Sequence, residues 1–341
     1  MLGISGGLRI DHIITPEREA RPRALGGNAV FAAVGARVWI DEVNIIARAG
    51  RNYPSEWVDL LQSRKLTTRG IHLLETVQDH RTFYAYPDAN TRDDANPSLH
   101  YGAIGAVMPE ELEGYVHSYA GQEDLRQIDP LAPIPGDLNC DVTAYHLAPM
   151  ALRSHLDMPG AARARGATFV SLDPGERYMV PTMWRHVETI LSQIDVFMPS
   201  AMEVASFFRF DNRNPVEMLR RMHWFADRGP RIVVFKLGTD GSLVYLRDDD
   251  RVWHFPAVPV RVVDVTGAGD SYCGGFAGSL SAHGDATEAA IAGTVAASFA
   301  IEDYGAMHVL DATQVMRDAR TAWVRERMSQ GVHGVRAGAI A

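Results

Sequence analysis

Residues 258–280, VPVRVVDVTGAGDSYCGGFAGSL, constrain the fold of this chain more than any other stretch. Val258, Val260 and Val262 alternate as on a half-buried strand, and Asp264 ends that run. Gly267-Ala268-Gly269 make a small-residue turn, after which Tyr272, Phe276 and Leu280 recur at helical spacing. The stretch reads as strand, glycine turn and helix start. This geometry aims unpaired backbone N–H groups and the positive end of a helix dipole at one point, a site for a phosphate or other anion. Asp270 stands at the mouth of that site. A bound phosphate repels a carboxylate, so the placement suits a base that deprotonates whatever attacks the phosphate. Taken alone, a GAGD also suits an ordinary acid in the first turn of a helix, and the rest of the chain has to decide.

The remainder alternates between strand and helix patterns. Strands at 142–147, 167–172, 194–198 and 231–236 are separated by helices near 150–164 and 181–193 and through 200–228. SLVYL (242–246) and VWHF (252–255) then form a hairpin across Asp248-Asp249-Asp250. Upstream, Leu2 to Ile14 reads as a first strand, 15–25 as a polar departure from the body, and Gly26-Gly27-Asn28 as a turn before a small-residue helix. Strands at 45–50 and 71–76 flank a helix at 55–65, and TFYAY (82–86) suits an edge or lid strand. Pro87 to Asn139 is long, polar and rich in proline, as a surface excursion or binding lid would be. Capping-box signals at Asp285 with Glu288 and at Asp311 with Gln314 start two C-terminal helices. The order predicts an α/β fold, a doubly wound, mostly parallel sheet flanked by helices. No repeat or sharp linker divides the chain, so 1–330 is expected to form one domain and 331–341 to fray.

In such a sheet the strand ends share one crevice. Asp11 and Asp173 each fall at or just past a strand end, and Asp264 and Asp270 flank the glycine turn. Glu203, in PSAME, falls on the same side, placed either to organise Mg2+ through water or to serve as a first-turn helix acid. Lys236 to Gly241, KLGTDG, ends a further strand with glycines that let backbone approach a nucleotide. Rival chemistries lack their residues. The chain holds two lysines, Lys65 and Lys236, and neither follows a glycine, so there is no P-loop. GISGG at 3–7 matches a nucleophile elbow in letters but has only two residues before it, too few for the strands an elbow needs. There is no HExxH, and the two cysteines, Cys140 and Cys273, make no disulfide framework. A net charge of −9 disfavours broad binding to nucleic acid or an anionic membrane. Without a leader pattern or a membrane-length apolar run, the expected location is cytoplasmic.

The segment Asp264-Val265-Thr266-Gly267-Ala268-Gly269-Asp270 resembles the D-T-x-G-A-G-D signature of the PfkB, or ribokinase-like, family of carbohydrate and nucleoside kinases. Gly26-Gly27, Asp173-Pro174-Gly175 and the Lys236–Gly241 turn support the likeness over nearly the whole chain. The resemblance implies a ribokinase-like domain with a small β-strand lid, its segments near 14–25 and 80–103. It also implies an ATP-dependent kinase acting on a sugar or nucleoside hydroxyl, with Mg2+ and sometimes K+, and a homodimer formed through the lid. By that likeness Asp270 is the general base, and the amides of Gly267, Ala268 and Gly269 form the anion hole. Asp11, Gly27, Asn28 and Asp173 face the acceptor, while Lys236, Gly238 and Gly241 bind the nucleotide. Glu203 serves Mg2+ through water and Asp264, with backbone near Gly305, a monovalent cation. The chain departs from the family pattern at Ser200, where N-x-x-E has its Asn, at Val30 or Phe31, where an Asn follows the early glycines, and at Val265. Those departures leave open a catalytically idle sugar- or nucleotide-binding regulator on the same fold.

Overall fold

The computed structural model describes residues 1–88, 91–117, 125–126, 128–138, 141–211 and 214–331. Cys140 and the tail beyond Gly331 lie outside the described residues.

Among the described residues, ten strands build the central sheet. They are β1 (Leu2–Ser5), β4 (Val43–Gly50), β5 (Thr67–Leu74), β8 (Ala144–Leu147), β9 (Phe169–Leu172), β10 (Val196–Phe197), β11 (Ile232–Lys236), β12 (Ser242–Leu246), β13 (Arg251–Phe255) and β14 (Ser329–Gln330). Their spatial order is β14-β13-β12-β11-β10-β9-β8-β1-β4-β5. The strands from β5 across to β11 run parallel, and β12, β13 and β14 add an antiparallel edge that includes the expected hairpin. From β1 the chain winds out one way to β4 and β5 and later the other way from β8, so the switch point lies between β1 and β8.

Successive strand residues face opposite sides. Ile232 and Val234 of β11 join one apolar cluster with helices α1 (Asn28–Arg37), α8 (Ala268–His283) and α9 (Ala286–Ala300). Val233 and Phe235 join the other, with α4 (Leu152–Ala164), α5 (Trp184–Leu191), α6 (Ala201–Phe208) and α7 (Pro215–Ala226). Helix α2 (Ser55–Ser63) covers the β5 edge, and α10 (Gln314–Arg327) packs on α9. Small residues bring α1 and α8 together: a Cβ at Gly274 would overlap the Ala32 carbonyl. That close approach sets the starts of both helices side by side.

A second, four-stranded sheet has the order β3-β2-β6-β7, with β2 (Arg9–Ile14), β3 (Ala20–Gly26), β6 (Arg81–Asp88) and β7 (Thr91–Asp93). Helix α3 (Pro97–Ile104) packs on it around Phe83 and Tyr101. The first strand read from sequence is therefore two strands. At Gly6-Gly7 the chain leaves the central sheet, and Asp11 lies inside β2 of the small sheet rather than at the end of a central parallel strand.

Two further expectations change. Residues 258–262 form no strand. Pro256 and Pro259 carry no N–H for a ladder, so the valines run as irregular chain, Val258 packed against the core and Val262 exposed. At α10 the cap is Thr313, whose hydroxyl accepts from Met316 N, while Asp311 closes a preceding 3-10 turn. Asp285 caps α9 as expected, accepting from Thr287 N and Glu288 N.

Candidate active site

Gly267 begins the site. Its φ of 74° is left-handed, and a Cβ there would overlap the Phe31 ring, so a residue with a side chain meets both backbone strain and a clash. The turn is braced below by Asp264, 4% exposed, whose Oδ1 accepts from Thr266 N at 2.9 Å. Helix α8 follows with its first turn open. Among the described residues the amides of Gly267, Gly269 and Asp270 meet no acceptor, while that of Ala268 reaches the Val265 carbonyl at 3.3 Å. Three N–H groups and a helix dipole thus converge without a partner. Gly267→Ala is expected to destabilise the protein by about 1–3 kcal/mol through backbone strain, read by urea unfolding. Unaltered unfolding would contradict the strained turn.

Over this turn lies a cavity of about 420 Å³ between the small sheet and the carboxyl ends of the central strands. Gly7 follows β1, Pro149 and Met150 follow β8, and Gly175 follows β9 around its wall, at the switch point where open α/β sheets bind ligands. Asp270 lines it too, its carboxyl pushed up to about 6, chiefly by burial; Lys236 lowers it, and Asp11 and Glu203 raise it. Asp11, 3% exposed, faces the cavity from β2 and accepts from the Thr82 hydroxyl. Burial lifts it to about 6, the Thr82 bond opposes this, and Asp264 adds to it.

The other residues singled out from sequence are placed as follows. Gly27 and Asn28 line the cavity. The Asn28 side-chain amide is already engaged: Oδ1 accepts from Gly7 N at 2.7 Å and Nδ2 donates to the Pro149 carbonyl. It ties the end of β1 to the loop after β8. Asp173, 2% exposed, sits beneath the cavity and pairs with Lys236 Nζ. Its Oδ2 also accepts from Cys273 Sγ at 3.3 Å, and its Oδ1 has no partner. Lys236 therefore points to the α8 turn rather than to the KLGTDG backbone; burial lowers its pKa, but Asp173, Cys273 and Glu203 more than offset this and hold it raised. Gly238 and Gly241 both have positive φ, and a side chain at Gly238 would meet open space.

Glu203 lines the cavity but also closes a capping box. Its Oε2 accepts from Ser200 N at 2.6 Å, and its own amide donates to Ser200 Oγ at 3.2 Å. Ser200 is a competent N-cap, which explains how the helix start survives the departure from the family's Asn. No cluster of three or more His, Cys, Asp or Glu side chains able to hold a metal occurs among the described residues. Glu203, a carboxylate on the cavity wall, is an oxygen donor of the kind Mg2+ takes alongside phosphate oxygens and water.

The description "pfkB family carbohydrate kinase" matches residues 23–313, most of the chain and all of the α8 turn. The chain belongs to the pfkB family. A cytidine kinase of Thermococcus kodakarensis is 24% identical over 283 residues, which are 82% of this chain and 88% of that protein. Among solved structures, a nucleoside kinase of Burkholderia thailandensis in complex with inosine has a TM-score of 0.70 at 16% identity, covering 96% of this chain and 100% of that one. A candidate ribokinase II of Escherichia coli in complex with ATP and Mg2+ has a TM-score of 0.68 at 18% identity, covering 94% and 99%. At such identities these two likenesses speak for the fold. This pfkB-family kinase also has two cavity residues that the sequence did not single out, Arg9 and Arg92, beside Tyr84 of the lid strand read at 82–86. Arg9 precedes Asp11 by two and so shares its face of β2; that spacing was a usable signal. Tyr84 and Arg92 line the cavity from the small sheet, Arg92 lying 4.9 Å over the Tyr84 ring. Tyr86 bonds Thr266 Oγ1 at 2.8 Å, joining the small sheet to the α8 turn. Arg92 lies in a stretch with no periodicity to mark it. Among the described residues no helix is long and apolar enough to cross a membrane.

Proposed function

We propose that this kinase transfers the γ-phosphoryl group of ATP to a hydroxyl of a small sugar or nucleoside. The observation that carries the reading is Asp270 on the cavity wall, directly after Gly269 and three residues past Gly267, both with unpartnered amides. Phosphoryl transfer asks the protein for in-line positioning and charge neutralisation. Asp11 holds acceptor hydroxyls from the small sheet, which serves as a lid, and Asp270 Oδ takes the proton of the attacking hydroxyl. The amides of Gly267, Gly269 and Asp270 donate to the transferring group, and Lys236 adds a positive charge beside them. The open Gly238 turn takes the nucleotide. When bound, Mg2+ supplies charge neutralisation at the phosphates, and Asp264 with backbone near Gly305 is the proposed seat of K+. Residues 1–330 act as one catalytic unit.

ADP release measured over a panel of sugars and nucleosides, with Mg2+ and with or without K+, tests the reading. Turnover on one class supports it, and inactivity across the whole panel favours an idle binding protein. A nucleoside acceptor is the second reading, favoured by the aromatic rings of Phe31 and Tyr84 on the cavity wall, which suit a flat base.

The base also fixes a pH profile. A carboxyl raised to about 6 is protonated below that pH and cannot accept a proton. Log kcat/KM is expected to be level above about pH 7 and to fall roughly tenfold per unit below about pH 6. A profile level down to about pH 5 would remove Asp270 from the role.

A further inference from the structure

Among the described residues, Arg9 is a positive charge in the cavity without an anionic counterpart. Asp79 is held by Arg81 through two bonds, of 2.8 and 2.7 Å, and Asp129 Oδ1 accepts from Leu131 N at 2.9 Å. Asp11 is held by Thr82, and Arg92 pairs with Glu176 at 3.5 Å. Arg9 lies among these groups with its guanidinium over Gly7, the Cζ 3.6 Å from where a Cβ of Gly7 would stand, and it lines the cavity. Among the described residues no carboxylate comes within 4 Å of it and no acceptor bonds it. A partly buried guanidinium presents five donors in a rigid fork, and leaving them without an anion is unfavourable. Its natural complement is a carboxylate or phosphate bound through both oxygens.

Position says which ligand brings that anion. Arg9 and Asp11 share one face of β2, two residues apart, which puts their Cα atoms about 6.6 Å from each other. Arg9 pairs with Gly26 at the start of β2, with its guanidinium over Gly7 just past the end of β1. Arg9 therefore enters the cavity from the small sheet, whereas Asp270 enters it from α8.

We infer that the acceptor is an acidic polyol or sugar, carrying a carboxylate or phosphate at the end remote from the reacting hydroxyl, and that Arg9 selects it by binding that anion. The inference rests on the kinase reading above and narrows its substrate class.

The test uses matched pairs that differ in the anion: D-gluconate against D-glucitol, and D-fructose 6-phosphate against D-fructose, with cytidine as a neutral nucleoside. kcat/KM is measured for each with wild-type, Arg9→Gln and Arg9→Lys proteins, and thermal unfolding confirms that each variant folds. The wild type is expected to favour an acidic member over its neutral partner by at least about tenfold, as a charge-assisted bidentate contact gives. Arg9→Gln is expected to bring that ratio near one through KM, and Arg9→Lys to restore part of it. Which acid is preferred separates carboxylate from phosphate. Equal or better turnover of neutral compounds, or an Arg9→Gln effect confined to the KM for ATP, overturns the inference and leaves the kinase reading standing. Inactivity on every compound, with no thermal stabilisation by either acid, overturns both.

Discussion

Asn in place of Asp270 is expected to lower kcat by about 10²–10⁴-fold, the usual worth of a positioned general base. The amide is nearly isosteric with the carboxylate and cannot take a proton. The variant should therefore keep the α8 turn and bind ATP with unchanged affinity, measured by calorimetry. Loss confined to kcat identifies a group that acts in the transition state. The free Gly267 and Gly269 amides would remain and sustain a residual rate. Turnover within about threefold of wild type would take the base role from Asp270, because general-base catalysis does not yield so small an effect.

The second large effect concerns stability. Lys236 and Asp173 form a pair whose side chains are 15% and 2% exposed. Replacing Lys236 by Met leaves a carboxylate under the cavity with Cys273 Sγ as a remaining donor, and removing one member of a buried pair costs about 3–5 kcal/mol. Burial already raises the Asp173 pKa, with Lys236 opposing it. Without the lysine the folded-state pKa rises further. A carboxyl whose folded pKa exceeds its unfolded value binds more protons when folded, so stability falls as pH rises. The deficit of Lys236→Met should accordingly be larger near pH 8 than near pH 5, and the double variant Asp173→Asn/Lys236→Met should recover most of it. Urea unfolding at the two pH values measures this. A deficit below about 1 kcal/mol would show the pair to be solvated like a surface ion pair.

The central sheet was legible because its signals are local. Parallel strands buried on both faces read as short apolar runs between helices, and from Ala144 to Phe255 each expected strand is present within a few residues. The α8 turn was legible for the same reason: Gly267 and Asp270 lie in one heptapeptide. Failures came where a pattern has two physical meanings. The valines of 258–262 have the period of a strand, and two prolines deny them a ladder. Leu2–Ile14 mixes apolar residues with Ser5, Arg9, Asp11 and His12, and a glycine pair at Gly6-Gly7 does not by itself show that the chain changes sheets there. Long-range pairing was invisible. Nothing in KLGTDG announces that Lys236 turns away to Asp173, 63 positions earlier, and no spacing rule shows that Arg9 lacks a carboxylate.

The division of the cavity between two sheets bears on wasted ATP. Asp11 rides on β2 and Asp270 on α8, so under the proposed reading an acceptor long enough to touch both would hold the small sheet over the phosphates. A water molecule can sit at Asp270 but cannot span to Asp11. The Tyr86–Thr266 bond, worth about 0.5–1.5 kcal/mol as a single neutral hydrogen bond, is too weak to keep the sheets together by itself. On the reading proposed above, the phosphoryl group stays unspent until a recipient that reaches both sheets is in place.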